Sequence, residues 1–524
     1  MKRTLFLIVA LLMLLPTLAS CSSLAEEGSD TQVGATLQET DSKGGEETPF
    51  LDINPYDPVN LTREQLNALP IASEDLTPAQ RRMLAVNYFE LQLTFRWRSN
   101  MDIYDYPTTY AKKDKSLEQK YIYSGIPYQS TGTGNLYRWL EYYDEETGIM
   151  DLSRALEENG GYGDDGAVTK VELNENGDII YKRYRSFMAL FNQCSVASGW
   201  GWARVVNSAS LGWTYDMNVR NGFIPVGSYT YPDMQKIDQF GVATEANPTA
   251  FDNKDVIAYV LSQNGENGMN ECYAKMKPGD CLVSGGHAMM VKSVSMVYKK
   301  DGTPDWARCT AIAIDQGENW ATDSFLEEVP YRRQGSVDTV YTFAYFQKNS
   351  YLPFTFREFL DENDPIDKEH IAFYDAYIKS NRGYLSACYP DFNFSSAELD
   401  ELSGIGVEKA SVWTNVLQKS ENLSASELES VIVAANYPIS DVFVTVKDPS
   451  GKVLLKNTYR ASSPRIRQVK MTATEAAWRN DDQGNLMTLS SGVAPLSDGG
   501  NRIEISLQLS TGEVLTALSR TLIP

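Results

Sequence analysis

Apolar residues alternate with a period of two along Val442, Val444 and Val446 and again along Ile503, Ile505, Leu507 and Leu509. Each run ends at a turn, Asp448-Pro449-Ser450-Gly451 or Ser510-Thr511-Gly512. A helix would scatter those side chains around its axis, so the end of the chain reads as sheet. Short strands at this spacing predict a small β-sandwich-like domain over 388–524.

Upstream the periods mix. Thr62-x-x-Gln65 fits a capping box, and Thr77 before Pro78 fits an N-cap with proline at the first helical position, so two helices are expected in a mainly helical segment, 50–120. The second blends into 89–97, which alternates at period two and could equally be a strand. Between 168 and 181, two alternating runs flank Asn176-Gly177, a hairpin signal. A helix over 255–263 and strands over 280–283, 287–297 and 309–315 make 121–350 a mixed α+β region with antiparallel sheet, and 351–387 reads as a connector. The chain's 524 residues exceed one hydrophobic core, so several domains are expected.

Acidic residues number 69 against 47 basic, for a formal net charge of −22, and the concentrated basic face of a nucleic-acid binder is not expected. With two histidines and no paired Cys-x-x-Cys motifs, a structural zinc site is disfavoured. At the N-terminus, Lys2 and Arg3 precede an apolar run from Leu5 to Leu15 that is short for a bilayer span and ends at Leu18-Ala19-Ser20-Cys21. This resembles a bacterial lipoprotein signal peptide. The resemblance implies cleavage after residue 20, diacylation of Cys21, and a protein outside the cytoplasm, lipid-anchored to the bacterial cell membrane. An ordinary secretory signal with a cysteine behind it is the alternative. The stretch 21–49 is mostly Ser, Thr, Gly, Glu and Asp, and reads as a disordered acidic tether.

A histidine-dependent site has two choices. His370 follows an acidic run, Asp361 to Glu369, that reads as a solvated helix start. His287 instead follows Gly285-Gly286 at the start of a strand, where a sheet would fix the ring and the glycines would let a substrate backbone approach. Cys194 stands just before a helix expected over 196–206, where backbone dipoles favour thiolate over thiol. Together they form a Cys-His arrangement for nucleophilic amide hydrolysis, completed by a polar residue behind the imidazole. Asp315, at the end of the apolar strand, is the first candidate for that residue, with Gln316 and Asn319 as fallbacks. A lone buried cysteine is otherwise a small core hydrophobe. Cys272, Cys281, Cys309 and Cys388 could form two disulfides or remain buried thiols, the latter favoured for Cys281 and Cys309. Trp200, Trp202, Trp213 and Tyr215 could line a groove or belong to the core.

Gly279-Asp280 through Gly286-His287 to Val291 resembles the Gly-Asp, Gly-His, Val signature of the NlpC-type and CHAP-type cysteine peptidases and amidases, and Gln193-Cys194-Ser195 is similar to their cysteine motifs. Ser124-Gly125-Ile126-Pro127-Tyr128 resembles the Gly-x-Pro-Tyr segment of NlpC-type enzymes. Over 121–345, the resemblance implies a papain-like cysteine hydrolase domain, a helix packed on antiparallel sheet, that cleaves amide bonds of peptidoglycan or other peptides without metal or organic cofactor. It makes Tyr128 and Gln193 candidate oxyanion or substrate-binding residues. The chain departs from the family in its long gaps from Tyr128 to Cys194 and from Cys194 to His287, the first requiring an insertion. Gln193 also replaces the NlpC-type aspartate, although glutamine suits the CHAP pattern. The rival reading is a non-catalytic surface lipoprotein whose papain-like scaffold binds glycan or protein.

Overall fold

The computed structural model describes residues 76–523 except 107–114, 130–131, 133, 160–170, 174–178, 182–189, 207–208, 210, 212–213, 215–216, 242–253, 324–330, 404–408, 417–420, 461–465, 473–485, 491–499 and 510–512. The leader, Cys21, the tether and the Thr62 capping box lie outside the described residues. No described helix is long and apolar enough to cross a membrane. The chain is a mixed α+β protein with several sheets.

Thr77 caps the first described helix, α1 (Pro78–Thr94), in a reciprocal box with Gln80, and Pro78 occupies its first turn. The ambiguous run divides inside itself. The helix continues to Thr94, and the strand Arg96–Ser99 begins after Phe95, where Trp97 and Ser99 alternate into the interior. The cysteine helix is α2 (Cys194–Ala203). Four antiparallel strands follow: β1 (Cys281–Val283), β2 (Ala288–Ser295), β3 (Thr310–Asp323) and β4 (Tyr331–Thr342). They form the centre of a ten-stranded sheet ordered Tyr143–Asp144, Ile149–Met150, Arg96–Ser99, Ile122–Ser124, β4, β3, β2, β1, Leu352–Thr355, Ile224–Pro225. The expected connector therefore carries a strand of the main sheet, because Leu352–Thr355 is buried throughout and pairs with β1. In the small separate sheet, the strands Val171–Leu173 and Ile179–Tyr181 pair antiparallel, and the residues between them lie outside the described set.

One apolar cluster joins α1 and α2 to this sheet through Phe89, Ala197, Trp202, Met290 and Ala313. Gly201 allows the close approach: a Cβ there would stand 2.9 Å from Phe89 Cβ and 3.0 Å from Met290 Cε. Trp202 is fully buried, donates Nε1–H to the Gly279 carbonyl at 2.7 Å, and packs on Phe356. It is a core residue and not a groove wall. Polar anchors complete the packing. Buried Arg82 reaches Asp280 Oδ1 at 2.6 Å and donates to the carbonyls of Pro278 and Phe359 and to Thr355 Oγ1, so the aspartate of the Gly-Asp motif fixes α1 to the start of β1.

The chain between Tyr128 and Asn192 supplies the sheet strands Tyr143–Asp144 and Ile149–Met150 and the buried Trp139, and its two ends meet. Tyr128 and Asn192 form an isolated parallel bridge, Asn192 N–H donates to the Pro127 carbonyl and Gln129 N–H to the Asn192 carbonyl. A second core lies at the C-terminal end, between a four-stranded sheet that includes Ile432–Ala435 and a five-stranded sheet that includes Ile439–Lys447 and Asn501–Leu509. The alternating Val442, Val444, Val446, Ile503, Ile505 and Leu507 all point into it.

One expectation changes, and one open alternative is decided. His370 lies within the helix α3 (Pro365–Ser380), whose start is capped by Asp364 as the acidic run implied, but the side chain is buried, not solvated. Its Nε2 accepts the Gly227 N–H at 2.7 Å, while Lys277 Nζ binds Asp364 and Asp367 at the same end of α3. Cys272, Cys281, Cys309 and Cys388 are all free thiols, the first three buried, so none of the possible pairings among them occurs.

Candidate active site

Cys194 is the first residue of α2. Gln193 precedes it in extended conformation and makes no side-chain cap bond, so the cap leaves first-turn N–H groups to other partners. The thiol is 3% exposed, and its Sγ lies 4.0 Å from the carbonyl oxygen of Gly286, the residue before His287. The β1–β2 hairpin turns through Ser284-Gly285-Gly286-His287, closed by Ser284 N–H donating to the His287 carbonyl at 2.8 Å. The glycine pair thus belongs to the turn that delivers the histidine, and the strand starts one residue later.

Asp315 stands on β3, beside the hairpin, and its Oδ1 is 2.6 Å from His287 Nε2. The strand does not end there, as expected from the sequence, but bulges. Its register with β4 passes from Asp315 opposite Ser336 directly to Trp320 opposite Gln334, leaving 316–319 facing Gly335. Gly335 has φ +89°, and a Cβ on it would lie 2.5 Å from the Asp315 carbonyl oxygen, so only glycine fits without displacing that backbone. The other carboxylate oxygen, Oδ2, accepts from the Tyr341 hydroxyl at 2.9 Å. The side chains of His287 and Asp315 are each about a fifth exposed, at 22% and 23%.

Burial opposes the charged form of His287, but the Asp315 carboxylate outweighs it, aided by Tyr351, Cys194 and the hydrogen bond to Asp315, and the pKa is raised well above the ordinary histidine value. Burial likewise opposes charge on Asp315, yet His287 and the Tyr341 hydroxyl keep its pKa below the usual carboxylate value. A carboxylate only accepts, so His287 Nε2 carries a proton and the ring's other nitrogen, Nδ1, is the one left for chemistry.

The two fallback residues do not serve the imidazole. Gln316 is buried and donates Nε2–H to the Ile126 carbonyl and to Asn192 Oδ1, and the side chain of Asn319 lies outside the described ones. Tyr128 is brought near the cysteine by its bridge to Asn192, and its backbone N–H donates to Gln334 Oε1 at 2.7 Å. Gln193 is 6% exposed and its Nε2 has no hydrogen-bond partner. Of the aromatic residues, Trp200 is half-buried, and Trp213 and Tyr215 lie outside the described residues. The rings beside the histidine are ones the sequence did not suggest: Tyr351 stands edge-on to His287 at 6.4 Å, and Tyr345 stacks near both Tyr351 and Tyr341. Their only sequence signal is a run of aromatics over 341–351. Among the described residues, no group of three or more His, Cys, Asp or Glu side chains could hold a metal ion.

No family model, curated protein or solved structure matches the chain.

Proposed function

We propose that the protein is an extracytoplasmic, lipid-anchored cysteine hydrolase of peptide amide bonds, with a papain-like catalytic arrangement of the NlpC or CHAP type and peptidoglycan peptides as its substrate class. The observation that carries this reading is the pairing of His287 Nε2 with Asp315 at 2.6 Å, which reserves Nδ1, on a turn whose Gly286 carbonyl lies 4.0 Å from the Cys194 thiol. A thiol, an imidazole and a carboxylate in sequence are the parts nucleophilic amide hydrolysis requires.

Cys194 Sγ attacks the amide carbonyl carbon after giving its proton to His287 Nδ1. Backbone N–H groups at the start of α2 and the unpartnered Gln193 amide receive the oxyanion. His287 then protonates the departing amine as the C–N bond breaks, leaving a thioester. Water, deprotonated by the same ring, attacks that thioester, releases the acid and restores the thiol. Asp315 holds the Nε2–H tautomer throughout.

The experiment is digestion of peptidoglycan and cross-linked stem peptides by the purified full chain, with new termini identified by mass spectrometry. Cys194→Ala is expected to abolish release, and undiminished release by that variant overturns the reading. The burial of Cys194, 3% exposed, favours a second reading, a scaffold that binds glycan or peptide without cleaving it. Peptidoglycan capture by both proteins without new termini from either supports that alternative.

A further inference from the structure

We infer that Tyr341 is a positioning residue for the Cys194–His287 pair, acting through Asp315; the inference rests on the hydrolase reading of that pair. A carboxylate held by one hydrogen bond can still turn about its Cβ–Cγ bond, and the imidazole it faces turns with it. Here both oxygens are engaged from different elements, Oδ1 by Nε2 of His287 on the β1–β2 turn at 2.6 Å and Oδ2 by the hydroxyl of Tyr341 on β4 at 2.9 Å. The two bonds define the plane of the carboxylate, and with it the direction in which the far side of the imidazole faces.

Tyr341 is itself braced. Its ring lies 4.8 Å from that of Tyr345 and 5.9 Å from that of Phe346, both on the short helix Phe343–Lys348 that follows β4. The phenol also stays a donor, because burial and then the neighbouring Asp315 charge push its pKa up. A donor on Oδ2 makes the carboxylate less basic, so the shared proton stays on the His287 ring. Cross-strand register alone sets Tyr341 opposite Ala311, and it meets Asp315 from further along the sheet, where β3 departs from regular pairing.

The chain's two histidines make a clean test, since ring-15N labelling of the full chain yields two spin systems, one assigned by His370→Gln. The probe is the acid-side inflection in the His287 Nε2 shift, which reports protonation of Asp315, in the parent and in Tyr341→Phe. The variant keeps the ring and removes only the hydroxyl. The inflection is expected to move to higher pH, and kcat on the peptide substrate to fall about tenfold, the effect of losing one hydrogen bond to a charged group, with KM unchanged. An inflection and kcat both unmoved by Tyr341→Phe overturn the inference, since a merely packing tyrosine would give that result. Should Phe at this position unfold the chain, 3-fluorotyrosine incorporation, which alters the acidity of the phenol with little change of shape, must shift the inflection or the inference fails. A shifted inflection in a parent that hydrolyses nothing leaves the positioning intact and overturns the hydrolase reading instead.

Discussion

At the scale of single residues, the proposed hydrolysis turns on which nitrogen of His287 carries the proton. Asp315→Asn keeps the shape but lets an amide N–H face Nε2, which moves the ring proton to Nδ1 and leaves no base for the thiol. By analogy with the same change in serine-protease triads, kcat on the peptide substrate should fall by about 10⁴-fold, with the thermal midpoint little changed. A fall of less than tenfold would mean that the pairing at 2.6 Å does not govern the reaction. The placement of Cys194 at a helix start and of His287 behind a glycine pair was legible because each carries a local signal. Tyr341 was not, because its partnership with Asp315 is made across strands and depends on where β3 departs from regular register, which no window of neighbouring residues encodes. Gln316, read as a possible orienting group, turns to Ile126 and Asn192 for the same reason: a bulge reverses which way successive side chains point.

Among elements, two junctions set the geometry. The first is α1 against β1, where Arg82 meets Asp280 with side chains 7% and 2% exposed. Arg82→Ala strands a buried carboxylate, and urea denaturation is expected to record a loss of about 3–5 kcal/mol. A loss under 1 kcal/mol would mean that water reaches Asp280 without it. The second is the bulge facing Gly335. Gly335→Ala forces a side chain into φ +89° with its Cβ 2.5 Å from the Asp315 carbonyl oxygen, and should cost about 1–3 kcal/mol in stability while lowering kcat, because the displaced backbone carries Asp315. Loss of stability with full activity would separate the bulge from the site. Element types followed from periodicity wherever one period ran unbroken, as in Val442 to Val446. The run 89–97 resisted because it spans a junction: its first six residues finish a helix and its last two start a strand, and a window across both contains both periods.

For the molecule as a whole, the two histidines drive stability in opposite directions with pH. His370 is buried near Asp280, Asp367, Lys275 and Lys277, and burial, only partly offset by the two carboxylates, lowers its pKa. As pH falls below about 6.5, the unfolded chain takes up that proton first. Stability present above that pH is therefore lost as pH falls through the folded value. For His287, with its pKa raised, stability is full below about 6.5 and is lost as pH rises through its folded value. Chemical denaturation across pH should show His370→Gln flattening the acid side and His287→Gln the alkaline side. Parallel curves for either variant and the parent would show that its ring contributes no such linkage. The burial of His370 was hidden in the sequence by its acidic neighbours, since Lys277, which binds Asp364 and Asp367, comes from a distant segment. The bridge between Tyr128 and Asn192 has a different kind of consequence. Because the chain departs and returns at one point, changes of length within the intervening stretch add little closure entropy, provided that its strands Tyr143–Asp144 and Ile149–Met150 keep their places in the main sheet. The separation of Tyr128 and Cys194 along the chain can thus vary between those strands while the frame around Cys194 stays in place.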